Sequence, residues 1–192
     1  MPYFKIIKFL FSNNIVNLIA FWKIELINNQ KFSWYQVYRF YKKAKDNNDL
    51  NATFWFWWRL ANFMFTSPTS KGRKAARRIQ RQLIADYNIE VMLGASIGFN
   101  PFIQHFTGIV ISDKAKIGNN MVIRQCVTIG VKTTVNNTSG RILIGDNVQI
   151  GANTCIIGDN LTIGDNVIIG SMVFVNKNIQ SDTVYIEKKT YQ

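Results

Sequence analysis

Hydrophobic positions along this chain follow two different periods, and the change comes near residue 90. In the first part the spacing is helical. Trp34, Val37, Tyr38 and Tyr41 recur on one side of a segment that opens with Ser33-Trp-Tyr-Gln36, a capping box. Asn47-Asn-Asp-Leu-Asn51 interrupts that pattern. Thr53 to Phe65 is then almost wholly apolar and rich in Trp and Phe, as in a helix that is buried all round or touches lipid. After Pro68 and Gly72, the spacing predicts a helix over 73–87. Ala76, Ile79, Leu83 and Tyr87 share one face of it, and Arg73, Lys74, Arg77, Arg78 and Arg81 surround the rest.

Beyond residue 97 the period is six. Blocks open at 97, 103, 111, 117, 123 and 129, and again at 144, 150, 157, 163, 169 and 175. Eleven of the twelve begin with Ile, and eight of the chain's twelve glycines take the next slot. A six-residue period belongs to neither a helix nor a hairpin; it predicts a parallel β-solenoid, one short strand and one corner per block. The aliphatic residue points into the shaft. A small fifth residue (Thr107, Ala115, Val127, Val148, Thr154 or Val167) packs beside it, and Gly or Asn at the corners tolerates positive φ. Three blocks make a triangular turn, turns stack about 4.8 Å apart, and twelve blocks give four turns.

Breaks in phase locate insertions: Ile109-Val110, Ile156, and a polar loop from Val135 to Leu143 that leaves the shaft. Interruptions of a regular scaffold are where chemistry is usually mounted. The expected organisation is a helical region over 1–88, a β-helix over 89–182 and a tail over 183–192.

Composition narrows the function classes. With 47% apolar and 18% charged residues, the 192-residue chain can bury a core and is not globally disordered. Its net charge of +12 is uneven: 15 Lys and Arg stand against 5 Asp and Glu up to residue 90, and 8 against 6 beyond it. Two cysteines, Cys126 and Cys155, cannot build a disulfide framework and are expected as buried small hydrophobes in a reducing compartment. One histidine, His105, excludes a trihistidine zinc centre, and no metal is expected. The best apolar stretch, Ile15 to Trp22, is too short to span a bilayer, and no small-residue cleavage site follows it. The expectation is a cytoplasmic chain. Its basic, aromatic N-terminal half suits peripheral contact with the inner face of a membrane, through Met1 to Trp22 in particular. No nucleic-acid partner is expected, since basic helices with aromatics are all that would favour one.

Several segments resemble the hexapeptide-repeat acyltransferases, and more closely the serine acetyltransferase branch with its colanic-acid-type polysaccharide relatives. They are Asn88-Ile-Glu-Val91, Ile97-Gly98, His105-Phe-Thr-Gly-Ile-Val-Ile111, Ile123-Arg-Gln-Cys-Val-Thr-Ile-Gly130 and Ile144-Gly-Asp-Asn-Val-Gln-Ile-Gly-Ala152; Phe56-Trp-Trp-Arg-Leu-Ala61 resembles a helix of the same relatives. The resemblance implies a mainly β fold, a left-handed parallel β-helix of hexapeptide repeats preceded by an α-helical N-terminal region. It also implies a homotrimer with active sites between neighbouring shafts, and acetyl-CoA as the acyl donor.

Acetyl transfer to an alcohol needs a base for the hydroxyl proton, and histidine is the side chain best matched to that at neutral pH. His105 is the sole candidate and falls where the family's catalytic His would stand. The resemblance pairs it with a carboxylate fifteen residues earlier, here Glu90. It places the pantetheine arm on Ala152 and Ser171, and the adenine and phosphates near Asn176 and Lys177; Lys188 and Lys189 are more simply a solvated terminus. Serine acetyltransferases carry a second His near the position of Arg141, a substrate-binding candidate here, and an Asp where Gln104 stands. Both departures turn the expectation toward a sugar hydroxyl of a polysaccharide or lipid-linked oligosaccharide. The alternative is serine O-acetylation for cysteine biosynthesis.

Overall fold

The computed structural model describes residues 3–12, 14–68, 72–132 and 140–186. The chain divides into two compact units, Met1–Tyr87 and Asn88–Gln192.

The first unit is helical: α1 Tyr3–Ser12, α2 Val16–Glu25, α3 Trp34–Asp46, α4 Leu50–Thr66 and α5 Arg73–Tyr87. Ser33 caps α3 as expected, its Oγ accepting from the Gln36 amide at 3.1 Å. The reciprocal half of the box is not made, because Gln36 Oε1 is buried without a partner. Asp49 caps α4 by accepting from the Ala52 amide at 2.9 Å.

The apolar run of α4 is explained by neighbouring helices rather than lipid. Phe54, Trp55, Trp58, Leu60, Ala61 and Met64 are buried, and α4 packs against α2, α3 and α5. Within this core Arg59 donates through Nε and Nη2 to the two carboxylate oxygens of Glu25, at 3.0 and 2.7 Å. Its guanidinium lies 3.9 Å from the centre of the Phe21 ring. Burial lowers the Arg59 pKa, and the Glu25 charge opposes the shift. Tyr87 donates to Thr53 Oγ1 at 2.9 Å, and burial pushes its hydroxyl pKa up. On α3 the helical spacing buries Val37 but leaves Trp34 and Tyr38 exposed. Of the expected membrane-contacting stretch, Ile7, Phe11 and Val16 are exposed while Leu18 and Trp22 are buried. Among the described residues no helix is long and apolar enough to cross a membrane.

The second unit is a parallel β-helix. Its first face stacks β1 (Glu90–Val91), β4 (Val110–Ile111), β7 (Thr128–Gly130), β10 (Cys155–Ile157) and β13 (Phe174–Val175). The second stacks β2 (Ser96–Ile97), β5 (Ala115–Ile117), β8 (Ile142–Ile144) and β11 (Leu161–Ile163). The third stacks β3 (Phe102–Ile103), β6 (Val122–Ile123), β9 (Gln149–Ile150), β12 (Ile168–Ile169) and β14 (Val184–Tyr185). With the Ile163–Ile179 bridge on the second face, the described strands make five turns rather than the expected four. The extra turn comes from both ends, where Glu90–Val91 and Val184–Tyr185 pair without an Ile-Gly signal. Val184–Tyr185 therefore belongs to the shaft, although the sequence assigns it to the tail.

The isoleucine slot is the core: Ile97, Ile103, Ile111, Ile117, Ile123, Ile129, Ile144, Ile150, Ile163 and Ile169 are all buried. Inter-turn register moves the expected insertions. Ile111 pairs with Val91 and Ile129, and Ile109 is fully buried, so Ile109-Val110 lies on the strand path. The two extra residues fall upstream, in the corner Gln104–Gly108. That displaces Thr107 from the inner fifth slot to an exposed position. Likewise Ile156 pairs with Ile129 and is fully buried, so the extra residue follows it. The expected loop ends earlier than Leu143, because Ile142 and Leu143 pair with β5 and β11. Residues 133–139 of that loop lie outside the described residues, as do Lys188 and Lys189.

The corner between the second and third faces carries two of the three Gly-Asp-Asn repeats, at 145–147 and 164–166, and each residue does a different job. Asn100, Asn120, Asn147 and Asn166 hold φ between 53° and 58° and form a side-chain amide ladder ending on Asp182. Asp146 Oδ1 accepts from the Asn119 amide at 2.7 Å, and Asp165 Oδ1 from the Asp146 amide at 2.7 Å. Here Asn, not Gly, takes the left-handed conformation. Gly118 is needed for closeness instead, since a Cβ there would run into the Asp146 carboxylate.

Candidate active site

The corner between the third and first faces differs from turn to turn. In the first turn it is Gln104–Gly108, in the second Arg124–Cys126, in the third Gly151–Asn153 and in the fourth Gly170–Met172. Backbone hydrogen bonds tie these levels together. The Cys126 amide donates to the Thr107 carbonyl at 2.8 Å, that of Asn153 to Gln125 at 3.0 Å, and that of Met172 to Ala152 at 2.8 Å. Thr107, Gln125, Ala152 and Ser171 thus form one column. Beside them Gly108, Cys126, Asn153 and Met172 form another, with φ of 63°, 54°, 58° and 60°.

His105 sits at the first-turn level of this corner with its side chain exposed. Its carbonyl accepts from the Thr107 amide at 3.1 Å, closing a tight turn that Gly108 follows at a φ of 63°. The next residues climb onto the first face, where Val110 lies beside Glu90. Glu90 is half-buried and its amide donates to the Ile109 carbonyl at 2.8 Å. The backbone therefore brings Glu90 and His105 to adjoining levels of one edge. Their side chains make no hydrogen bond or ion pair with one another or with other described residues.

Ala152 and Ser171 lie on the same corner as His105, two and three turns along. The remaining candidates lie elsewhere. Asn176 and Lys177 follow β13 at the corner between the first and second faces, and the Lys177 ammonium sits 5.8 Å from the centre of the Tyr185 ring. Arg141 is exposed at that same corner, entering β8, where its carbonyl accepts from the Leu161 amide at 3.0 Å. Its backbone is thus at a different corner from His105.

Two residues beside His105 escaped the sequence reading. Arg124 Nε donates to Gln104 Oε1 at 2.8 Å, one level across the corner. Gln125 Oε1 is buried with no partner. The signal was present: at this corner the slot after Ile holds Gln104 and Arg124 in the first two turns, where the next two turns have Gly151 and Gly170. The cysteines also differ from expectation. Cys126 is exposed in its left-handed corner position, and Cys155 is half-buried, outward on the first face beside Thr128 and Phe174.

No family model matches the chain. A serine acetyltransferase of Staphylococcus epidermidis is 41% identical over 76 residues, 40% of this chain and 35% of that protein. A plasmid-borne serine acetyltransferase of Synechococcus elongatus is 36% identical over 61 residues, 32% of this chain and 19% of that protein. Among solved structures, serine acetyltransferase isoform 3 of Entamoeba histolytica, in complex with cysteine, superposes with a TM-score of 0.64 at 31% identity. That match covers 73% of this chain and 49% of the other. The Vibrio cholerae serine acetyltransferase gives 0.59 at 29% identity, covering 67% and 48%. The chain spans about half the length of these solved structures and about a third or less of the curated relatives. Its fold is mainly β, a left-handed parallel β-helix behind N-terminal helices. In sequence over 76 residues and in fold over 73% of its length, the chain is similar to serine acetyltransferases.

Proposed function

We propose that this protein is an acetyl-CoA-dependent O-acetyltransferase with L-serine as its acceptor and His105 as its general base. One observation carries the reading. The exposed His105 stands at the foot of a corner column that continues through Gln125, Ala152 and Ser171. At the upper levels of that column Ala152 and Ser171 carry only small side chains, which suits an extended pantetheine arm lying on backbone groups.

The chemistry follows from an imidazole at that position. As the acceptor oxygen attacks the thioester carbonyl carbon, His105 takes the hydroxyl proton and the carbonyl oxygen becomes an oxyanion. When the carbon–sulfur bond breaks, the proton passes from the imidazolium to the leaving sulfur, giving the acetyl ester and free CoA thiol. Glu90, on the adjoining level, is assigned to orient the ring and stabilise its charged form. Asn176 and Lys177 are assigned to the nucleotide end of the donor from the next corner.

The comparisons support the amino-acid acceptor over the carbohydrate one, and they give no support to membrane contact. The carbohydrate reading keeps two observations of its own, Gln104 in place of an acid beside His105 and Arg141 in place of a second His. The test is thiol release from acetyl-CoA by the purified chain, with L-serine or a neutral sugar as acceptor and the product identified by mass. Serine-dependent release with O-acetylserine as product is expected. Release with the sugar alone would overturn the choice of acceptor, and release with neither would overturn the activity. A homotrimer is assigned with the same reading, and sedimentation of the intact chain checks it.

A further inference from the structure

We infer that Arg124, tethered by Gln104, recognises a carboxylate on the acceptor and sets the specificity of the His105 site; this rests on the proposed acetyl transfer. Arg124 is exposed at the corner, one level above the residue that precedes His105. Its Nε is committed to Gln104 Oε1 at 2.8 Å, and it forms no ion pair among the described residues. A flexible arginine on a surface loses side-chain entropy when it is held. Here a neutral side-chain oxygen holds the guanidinium without cancelling its charge, and the Nη edge is left to meet a ligand. That edge presents paired N–H donors in the fork geometry that matches a carboxylate.

A second observation points to a polar ligand at the same corner. Gln125 Oε1, one residue on, is buried without a hydrogen-bond partner. Buried acceptors are rarely left unpaired, and a turn of the Gln125 side chain toward the surface would let an ammonium or hydroxyl group on the acceptor supply the missing donor. An acceptor with a carboxylate close to its hydroxyl satisfies both features. An amino acid and a uronic acid share that chemistry, whereas a neutral sugar has no anion to offer Arg124.

The test compares binding and transfer in the full chain with two matched pairs: L-serine against L-serinamide, and D-glucuronate against D-glucose. Calorimetric titration of the wild type is expected to favour the carboxylate of at least one pair by about tenfold or more. Arg124→Gln should abolish that preference and leave the KM for acetyl-CoA unchanged, and Arg124→Lys should restore part of it. A preference that survives Arg124→Gln, or its absence from both pairs in the wild type, overturns the inference. Thiol release in parallel separates the two claims. Transfer that ignores Arg124 keeps the proposed activity and sinks this assignment. Arg124-dependent carboxylate binding without transfer does the reverse.

Discussion

The amide of Cys126 donates to the carbonyl of Thr107 at 2.8 Å, and this bond seats the second-turn corner on the one that carries His105. Through it the exposed imidazole belongs to a stack that also includes Ala152 and Ser171. Cys126 reaches that position with φ of 54°, in line with Asn153 and Met172 above it. A side chain that forces this residue out of the left-handed region breaks the link between the corner that carries His105 and the levels of Ala152 and Ser171.

Cys126→Val tests that link. A β-branched residue is poorly accommodated at positive φ, at a cost of about 1–2 kcal/mol, while Cys126→Gly removes the strain. Cys126→Val is expected to lower both thermal stability and kcat, and Cys126→Gly to keep both near wild type. Melting curves and thiol-release rates check this pair.

The Gly-Asp-Asn corner makes a separate prediction about the shaft. A methyl group at Gly118 meets the Asp146 carboxylate, so Gly118→Ala should destabilise by about 1–3 kcal/mol. At Asn147, φ is 58°, and its amide joins Asn120 to Asn166. Asn147→Ala should therefore cost more than Asn147→Gly, which tolerates the backbone but loses the ladder. Denaturant midpoints followed by far-ultraviolet circular dichroism rank the variants.

In the helical unit, Glu25→Gln leaves the buried Arg59 guanidinium without its anion. The expected cost is about 3–5 kcal/mol, and Glu25→Leu with Arg59→Met should recover most of it. All five tryptophans lie between Trp22 and Trp58, so fluorescence follows this unit alone.

If Glu90 orients His105, Glu90→Gln should lower kcat by more than about tenfold, with an unchanged KM for acetyl-CoA and an unchanged melting temperature. Wild-type kcat in that variant would remove Glu90 from the mechanism.

Much of the fold was legible because the shaft repeats one physical demand. The isoleucine slots face the same narrow core, with Ile156 in place of Ile157, so the pattern recurs until a corner changes length. What the period could not show is on which side of a strand an extra residue falls. Ile109-Val110 and Gln104–Gly108 give the same count, and only pairing of Ile111 with Val91 and Ile129 decides between them. The same limit hid the end strands Glu90–Val91 and Val184–Tyr185, which borrow their register from neighbours. His105 was legible as the sole imidazole, but the Arg124–Gln104 bond was not. It joins residues twenty positions apart, and their contact depends on the turn length that brings one level over the next.

The central claim is that His105 removes the acceptor proton, and the most direct measurement is kcat for thiol release from acetyl-CoA with L-serine in His105→Asn. The account expects a folded protein with wild-type melting temperature and a kcat lower by about 10²- to 10⁴-fold. A kcat close to that of the wild type would contradict it.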